Sequence, residues 1–131
     1  MRFPDKLDVL RAHARLIAET GGSAGIRDVA KLESALVAAQ NRHIYEDADL
    51  VACAATYAYH LTQAHAFIDG NKRIAAAVAE TFLESNETQL TMTDREIVRL
   101  FMDIAAGLLS REEVEELLRT KIAKRSRQEG A

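Results

Sequence analysis

Residues 65 to 73 read His65-Ala66-Phe67-Ile68-Asp69-Gly70-Asn71-Lys72-Arg73. An imidazole, a carboxylate, a glycine, an amide and two cations are thereby gathered in one short stretch. Histidine is the side chain whose ordinary pKa permits proton exchange near neutrality, so His65 is the candidate general base. Asp69 is a hard-oxygen ligand suited to Mg²⁺, which typically takes one or two carboxylates together with substrate phosphates; it is equally suited to cap a following helix. Gly70 permits a positive φ or a close backbone approach to a ligand. Asn71 can donate an amide hydrogen to phosphate or cap the helix. Arg73 offers a planar fork for phosphate oxygens, and Lys72 a mobile point charge. Phe67 is read as a structural anchor that pins the turn to the core, since a site on a loose loop is imprecise.

The turn leads out of one helical pattern and into another. A helix start is an anion site, because its first backbone N–H groups lack partners and its dipole end is positive. Successive N–H groups in such a turn form a concave nest. Lys72 and Arg73 in that first turn are each disfavoured by about 0.3–1 kcal/mol. A bound anion reverses the sign, and phosphate is the obvious candidate.

The rest of the chain must position this turn, and its periodicity is helical nearly throughout. A first helix is expected from about Asp5 to Thr20, with Leu7, Leu10, Ala14 and Ile17 inward and Gly21-Gly22 as its stop. Ser23-Ala24-Gly25 reads as a flexible link. A second helix starts near Asp28, with Val29, Leu32, Leu36 and Ala39 on one side, and Asn41 to Asp49 reads as irregular. A third, from about Ala48 to Ala64, is apolar on most faces and is expected to be central. A fourth runs from about Asn71 to Ser85. Thr93 with Glu96, and Ser110 with Glu113, have the capping-box spacing and open two more helices, the last carrying Val114, Leu117, Leu118 and Ile122. Leu90 and Met92 suggest a short extended piece.

The 131 residues suit a single domain over 1–131, with about 122–131 as a basic tail. A net charge of −3 supplies no field for direct nucleic-acid binding, and no apolar run approaches the roughly 20 residues of a membrane span. The N-terminus lacks the apolar core of a signal peptide, so the expected location is cytoplasmic. The single Cys53 lies in an apolar run and reads as a buried, inert thiol. His60 and His65 are five apart and do not share a helix face well, which argues against a zinc pair. Capping and an ion pair are the preferred roles of Arg27, Asp28 and Glu33 over a place in the site.

His-x-Phe-x-Asp-Gly-Asn-Lys-Arg resembles the active-site motif of the Fic/Doc superfamily, and more narrowly that of the Doc (death-on-curing) toxins. Fic members usually have glycine at the position of Lys72 and a second arginine at that of Ala76, and both departures fit Doc. Gly25-Ile26-Arg27-Asp28, Leu32-Glu33-Ser34-Ala35-Leu36, Gln40, Tyr59-His60 and Ala105-Ala106-Gly107 also resemble Doc sequences. Ala66 stands where many relatives carry proline, which loosens the turn slightly. The self-inhibitory Fic spacing is missing: Ser126 to Glu129 is one residue short.

The resemblance implies an all-α, single-domain Fic-fold helical bundle of about six helices. It implies a toxin that moves the terminal phosphate of ATP, with Mg²⁺, to a threonine of a translation protein such as elongation factor Tu, arresting translation. A separate Phd-like antitoxin would neutralise it. On this resemblance His65 takes the proton from the target hydroxyl, Asp69 holds Mg²⁺, and Gly70, Asn71, Lys72 and Arg73 bind the phosphates. Ile44 and Tyr45, near the segment that forms a flap in Fic relatives, are expected either to position the target or to anchor an ordinary connection. Two other expectations compete: a Fic-type AMP transferase, and a non-catalytic relic that binds nucleotide or a partner.

Overall fold

The computed structural model describes residues 1–125 of the 131. Ser126, Arg127 and Glu129 therefore lie outside the described residues. Six helices and one small antiparallel pair of strands make up the described residues. α1 (Lys6–Thr20) opens on Asp5, whose carboxylate accepts from the Asp8 N–H while Asp8 returns the bond, and it stops at Gly21 with φ 86°. α2 (Val29–Glu46) is capped by Asp28 and α3 (Leu50–Ala64) by Asp49. α4 (Asn71–Ser85) begins at Gly70. α5 (Asp94–Ala105) and α6 (Arg111–Arg119) open on the two capping boxes at Thr93 and Ser110. Each such cap satisfies N–H groups that the helix cannot satisfy itself.

The hub is α3, which packs against α2, α4, α5 and α6. Val51, Cys53, Tyr57 and Leu61 are buried along it together with a run of alanines. The alanines let neighbouring helices come close, and the large side chains fill the spaces between them. Cys53 is buried, and desolvation pushes its thiol up to about 11, so it is inert as expected. No helix among the described residues is long and apolar enough to cross a membrane.

Four local expectations are corrected. The buried stripe of α1 is Val9, His13 and Ile17, while Leu7 and Ala14 face outward. The phase is set by His13, a polar residue that finds a partner inside. The segment 41–46 is not irregular: α2 continues through it to Glu46. Arg42 explains this, since its guanidinium reaches Thr56 Oγ1 at 2.8 Å, the Ala52 carbonyl at 3.3 Å and Glu115 at 3.5 Å. Ile122 is not helical. Ile122–Lys124 form β2, antiparallel to β1 (Thr88–Leu90), with Leu90 opposite Ile122. The basic tail is thus ordered as far as Arg125, with Lys121 paired to Glu96 and Arg125 to Glu84. Finally, 23–25 is not a loose link but part of the site.

Asp49 does two jobs at the start of the hub helix. Its carboxylate accepts from the Ala52 N–H and takes a two-pronged bond from Arg119 at 2.7 and 3.0 Å. The Arg119 hydrogen bond holds the Asp49 carboxyl below its ordinary value. Asp49→Ala is expected to cost about 1–2 kcal/mol in urea unfolding near neutral pH, chiefly as a lost N-cap. A depressed carboxylate stabilises above its unfolded pKa and loses that contribution as pH falls through the folded one. The gap between wild type and variant should therefore narrow in acid. A gap independent of pH would refute the assignment.

Candidate active site

The motif turn lies between the end of α3 and the start of α4. His65 is the C-cap of α3 in the left-handed region, φ 49° and ψ 43°, and its side chain is exposed. Beyond it the backbone is stitched to the segment that follows α1. The Ala66 carbonyl accepts from the Arg27 and Asp28 N–H groups at 2.7 and 3.0 Å, and the Ile68 N–H donates to the Gly25 carbonyl at 3.1 Å. Ile26 and Phe67 face each other as an isolated antiparallel bridge. Ala66 and Phe67 are both buried.

Sequence reasoning missed His13. Its ring stacks on Phe67 with centroids 3.8 Å apart and an angle of 14°, and its Nε2 donates to the Asp69 carbonyl at 2.7 Å. The signal was a polar residue four after Val9 and four before Ile17, on the buried face of α1. Such a residue must have a partner.

Asn71 is spent on the loop. Its Oδ1 accepts from the Phe67 N–H at 3.0 Å, and its Nδ2 donates to the Phe67 carbonyl at 2.9 Å. Its side chain therefore ties the turn, and what it offers an anion is its backbone N–H. Asp69 is not the cap of α4. Gly70 holds that position at φ 77° with no side-chain cap bond. A Cβ on Gly70 would lie 3.2 Å from Ile17 Cδ1, so both conformation and space favour glycine. The first bond of α4 runs from the Ile74 N–H to the Gly70 carbonyl, which leaves the N–H groups of residues 71–73 outside the helical ladder.

The Asp69 carboxylate accepts from the Ser23 N–H at 3.1 Å and the Gly70 N–H at 2.8 Å. These two bonds, Ser23 first, hold it below the ordinary carboxylate range, with a further contribution from Arg73. Arg73 donates to Thr20 Oγ1 and to the Gly21 carbonyl, and lies 3.6 Å from Asp69 Oδ1. It thus meets the negative end of α1, which compensates its unfavourable place at the start of α4. Lys72 is exposed and makes no ion pair or hydrogen bond among the described residues. Of the two cations, Lys72 is the one left for an anion from outside.

A cavity of about 310 Å³ joins these groups. His65, Asp69, Gly70, Asn71, Lys72 and Arg73 line it, together with Thr62 from α3 and Ala105 from the end of α5. Base, carboxylate, cations and helix start therefore share one space. Ile44 and Tyr45 do not line it. They sit exposed on the last turn of α2, 67% and 80% accessible. A second hollow of about 380 Å³, between the N-terminal segment, α1 and α4, contains none of the motif residues.

A magnesium ion fits the site only in company. Asp69 is ionised and half exposed, and its oxygens keep lone pairs beyond the N–H groups they accept. No group of three or more His, Cys, Asp or Glu among the described residues could hold a metal by itself. One carboxylate completed by substrate phosphates is the usual magnesium arrangement.

Two substitutions test how the turn is held. His13→Phe keeps the stack on Phe67 but leaves the Asp69 carbonyl unpaired, and should destabilise the fold by about 1–3 kcal/mol. An unchanged unfolding midpoint would contradict that bond. In Gly22→Ala the new Cβ would lie 2.5 Å from Asp69 Oδ2. The carboxylate must move off the Ser23 N–H, so its carboxyl should titrate closer to its ordinary value, as NMR would read. The sign follows from the present shift: charge on Asp69 is favoured now, and less so once that bond is lost.

The family model described as "Fic/DOC family" matches residues 3–83. The chain is 32% identical over 120 residues to "Protein kinase doc" of Escherichia phage P1, covering 91% of this chain and 94% of that one. The family match takes in α1, the stitched segment, α3, the whole motif turn and all but the last residues of α4. Every lining residue of the cavity except Ala105 falls within that match, and the chain belongs to the Fic/DOC family.

Proposed function

We propose that this protein transfers the terminal phosphate of ATP to a hydroxyl on a target protein, as a toxin of the Doc type. The observation that carries the proposal is the single cavity in which an exposed imidazole faces an uncapped helix start and an unpaired lysine. The similarity to a protein whose name is "Protein kinase doc" supports phosphate transfer over other chemistry at such a site. The target is a threonine of a translation protein, elongation factor Tu being the first candidate, and a Phd-like antitoxin is the neutralising partner.

His65 takes the proton from the target hydroxyl as its oxygen attacks the terminal phosphorus. A new P–O bond forms, the bridging P–O bond breaks, and the leaving group is ADP. The N–H groups of residues 71–73 and the Lys72 ammonium hold the phosphates, while Asp69 is the residue that would hold Mg²⁺. Bound there, the metal would neutralise charge on the phosphate oxygens. Arg73 acts mainly by fixing Asp69 and the end of α1.

Lys72 distinguishes phosphate transfer from AMP transfer. A glycine at this position would open space beside the helix start, and the long cationic side chain fills it. Incubation with Mg²⁺-ATP and elongation factor Tu, read by intact mass, should add one phosphate to the target. His65→Ala should abolish the addition, with a loss of about 10²–10⁴-fold for a general base. Lys72→Gly should bring some adenylate addition. An adenylate added by the wild-type protein would overturn the proposal in favour of AMP transfer, and no addition at all would favour a binding role.

A further inference from the structure

Among the described residues, three buried side-chain polar atoms lack a hydrogen-bond partner: Arg42 Nε, the Tyr57 hydroxyl and Thr62 Oγ1. Arg42 Nε faces Glu46 at 3.7 Å, and Tyr57 is sealed in the core. Thr62 differs, because it is 1% exposed and lines the cavity that holds His65.

A threonine inside a helix has an easy local solution, a bond to the carbonyl four residues back. Thr56, on the same helix, takes it: its hydroxyl donates to the Ala52 carbonyl at 2.7 Å. Thr62 does not. Leaving a buried hydroxyl unpaired costs about 1–3 kcal/mol, and valine would fill the same space without that cost. A group kept at the expense of stability, in the wall of the site, is explained by a partner that arrives during function.

Thr62 lies on the last turn of α3, three residues before His65, and the left-handed turn at His65 brings both side chains to the wall of one cavity. We infer that Thr62 is a positioning residue for His65: when the site is occupied, Thr62 Oγ1 accepts the Nδ1–H of the imidazole. That bond leaves Nε2 unprotonated and turned toward the target hydroxyl. The tautomer of a histidine is set by the hydrogen bond that its other nitrogen makes. The imidazolium formed after proton uptake is stabilised by the same oxygen. The inference rests on the function proposed above.

The test compares wild type, Thr62→Val and Thr62→Ser, free and saturated with Mg²⁺ and a non-hydrolysable ATP analogue. Nitrogen-15 NMR of His65 reads the tautomer, and calorimetry reads analogue binding. Wild type and Thr62→Ser should show the Nδ1–H form with the analogue bound, and Thr62→Val should lose that preference. Phosphate transfer by Thr62→Val should fall in kcat by roughly tenfold or more, a share of the 10²–10⁴-fold that a positioned base supplies, with KM for ATP unchanged. Its unfolding temperature should stay the same or rise. An unchanged His65 tautomer in Thr62→Val overturns the inference alone, as does a fall in its unfolding temperature, which would mark a packing role. Failure of wild type to bind the analogue overturns the proposed function and the inference together.

Discussion

Backbone hydrogen bonds between the motif turn and the segment 25–28 are the constraint on which the site depends. Without them, residues 65–70 would be an ordinary connection between two helices. With them, Ala66 and Ile68 are fixed to the chain that leaves α1, and Phe67 is pressed between that chain and the His13 ring. The His13 bond to the Asp69 carbonyl and the Asn71 clasp on Phe67 close the remaining degrees of freedom. The polar groups of the site thereby separate into two sets. The Ala66 and Asp69 carbonyls and the Asn71 amide are satisfied internally. The imidazole of His65, the ammonium of Lys72 and the N–H groups at the start of α4 are left over. A ligand meets a rigid frame whose unpaired groups already point into one cavity, so little ordering cost falls on binding.

The electrostatics follow the same division. Two adjacent cations at a helix start look at first like a plea for a bound anion. The structure answers half of it from within, because Arg73 reaches the carbonyl end of α1 and the Asp69 carboxylate. The Ser23 and Gly70 N–H groups, with a smaller contribution from Arg73, hold Asp69 ionised in a partly exposed position, and of the two cations Lys72 is left unpaired. An ionised carboxylate beside a phosphate site repels its ligand unless a divalent cation lies between them. On the proposed function, Asp69 would thus favour Mg²⁺-bound nucleotide over bare anions of the same size.

Much of this was legible because it is local. The capping boxes at Thr93 and Ser110, the stop at Gly21 and the start of α4 depend on side chains within one helical turn of the backbone they satisfy. The motif was legible because its residue types are improbable together. What escaped was held by partners distant in sequence. The turn 41–46 is polar and looks irregular until Arg42 finds Thr56 and Glu115 on two other helices. Ile122 fits a helical stripe until β1 offers it a ladder. His13 sits off the stripe of leucines because a carbonyl in the motif turn is its counterpart. Ser23 looks like linker, and Gly22 like no more than a helix stop, until Asp69 leans on the N–H of the first and occupies the space where a side chain on the second would be.

The backbone of His65 carries an independent argument. A left-handed residue at the end of a helix is the usual place for glycine, and a residue with a Cβ costs about 1–2 kcal/mol there. The chain does use glycine where the conformation alone matters, at Gly21 and Gly107. At residue 65 the left-handed turn is equally required, with φ at 49°, yet an imidazole stands there. Nothing in the packing calls for it, since the ring is exposed while its neighbours Ala66 and Phe67 do the anchoring. Asp47 and Glu87 also stand in the left-handed region, so strain alone assigns no role; the general-base role proposed for His65 rests on strain together with its place in the cavity wall. The left-handed turn carries the imidazole into the cavity that the uncapped start of α4 lines, which is where the proposed reaction needs it.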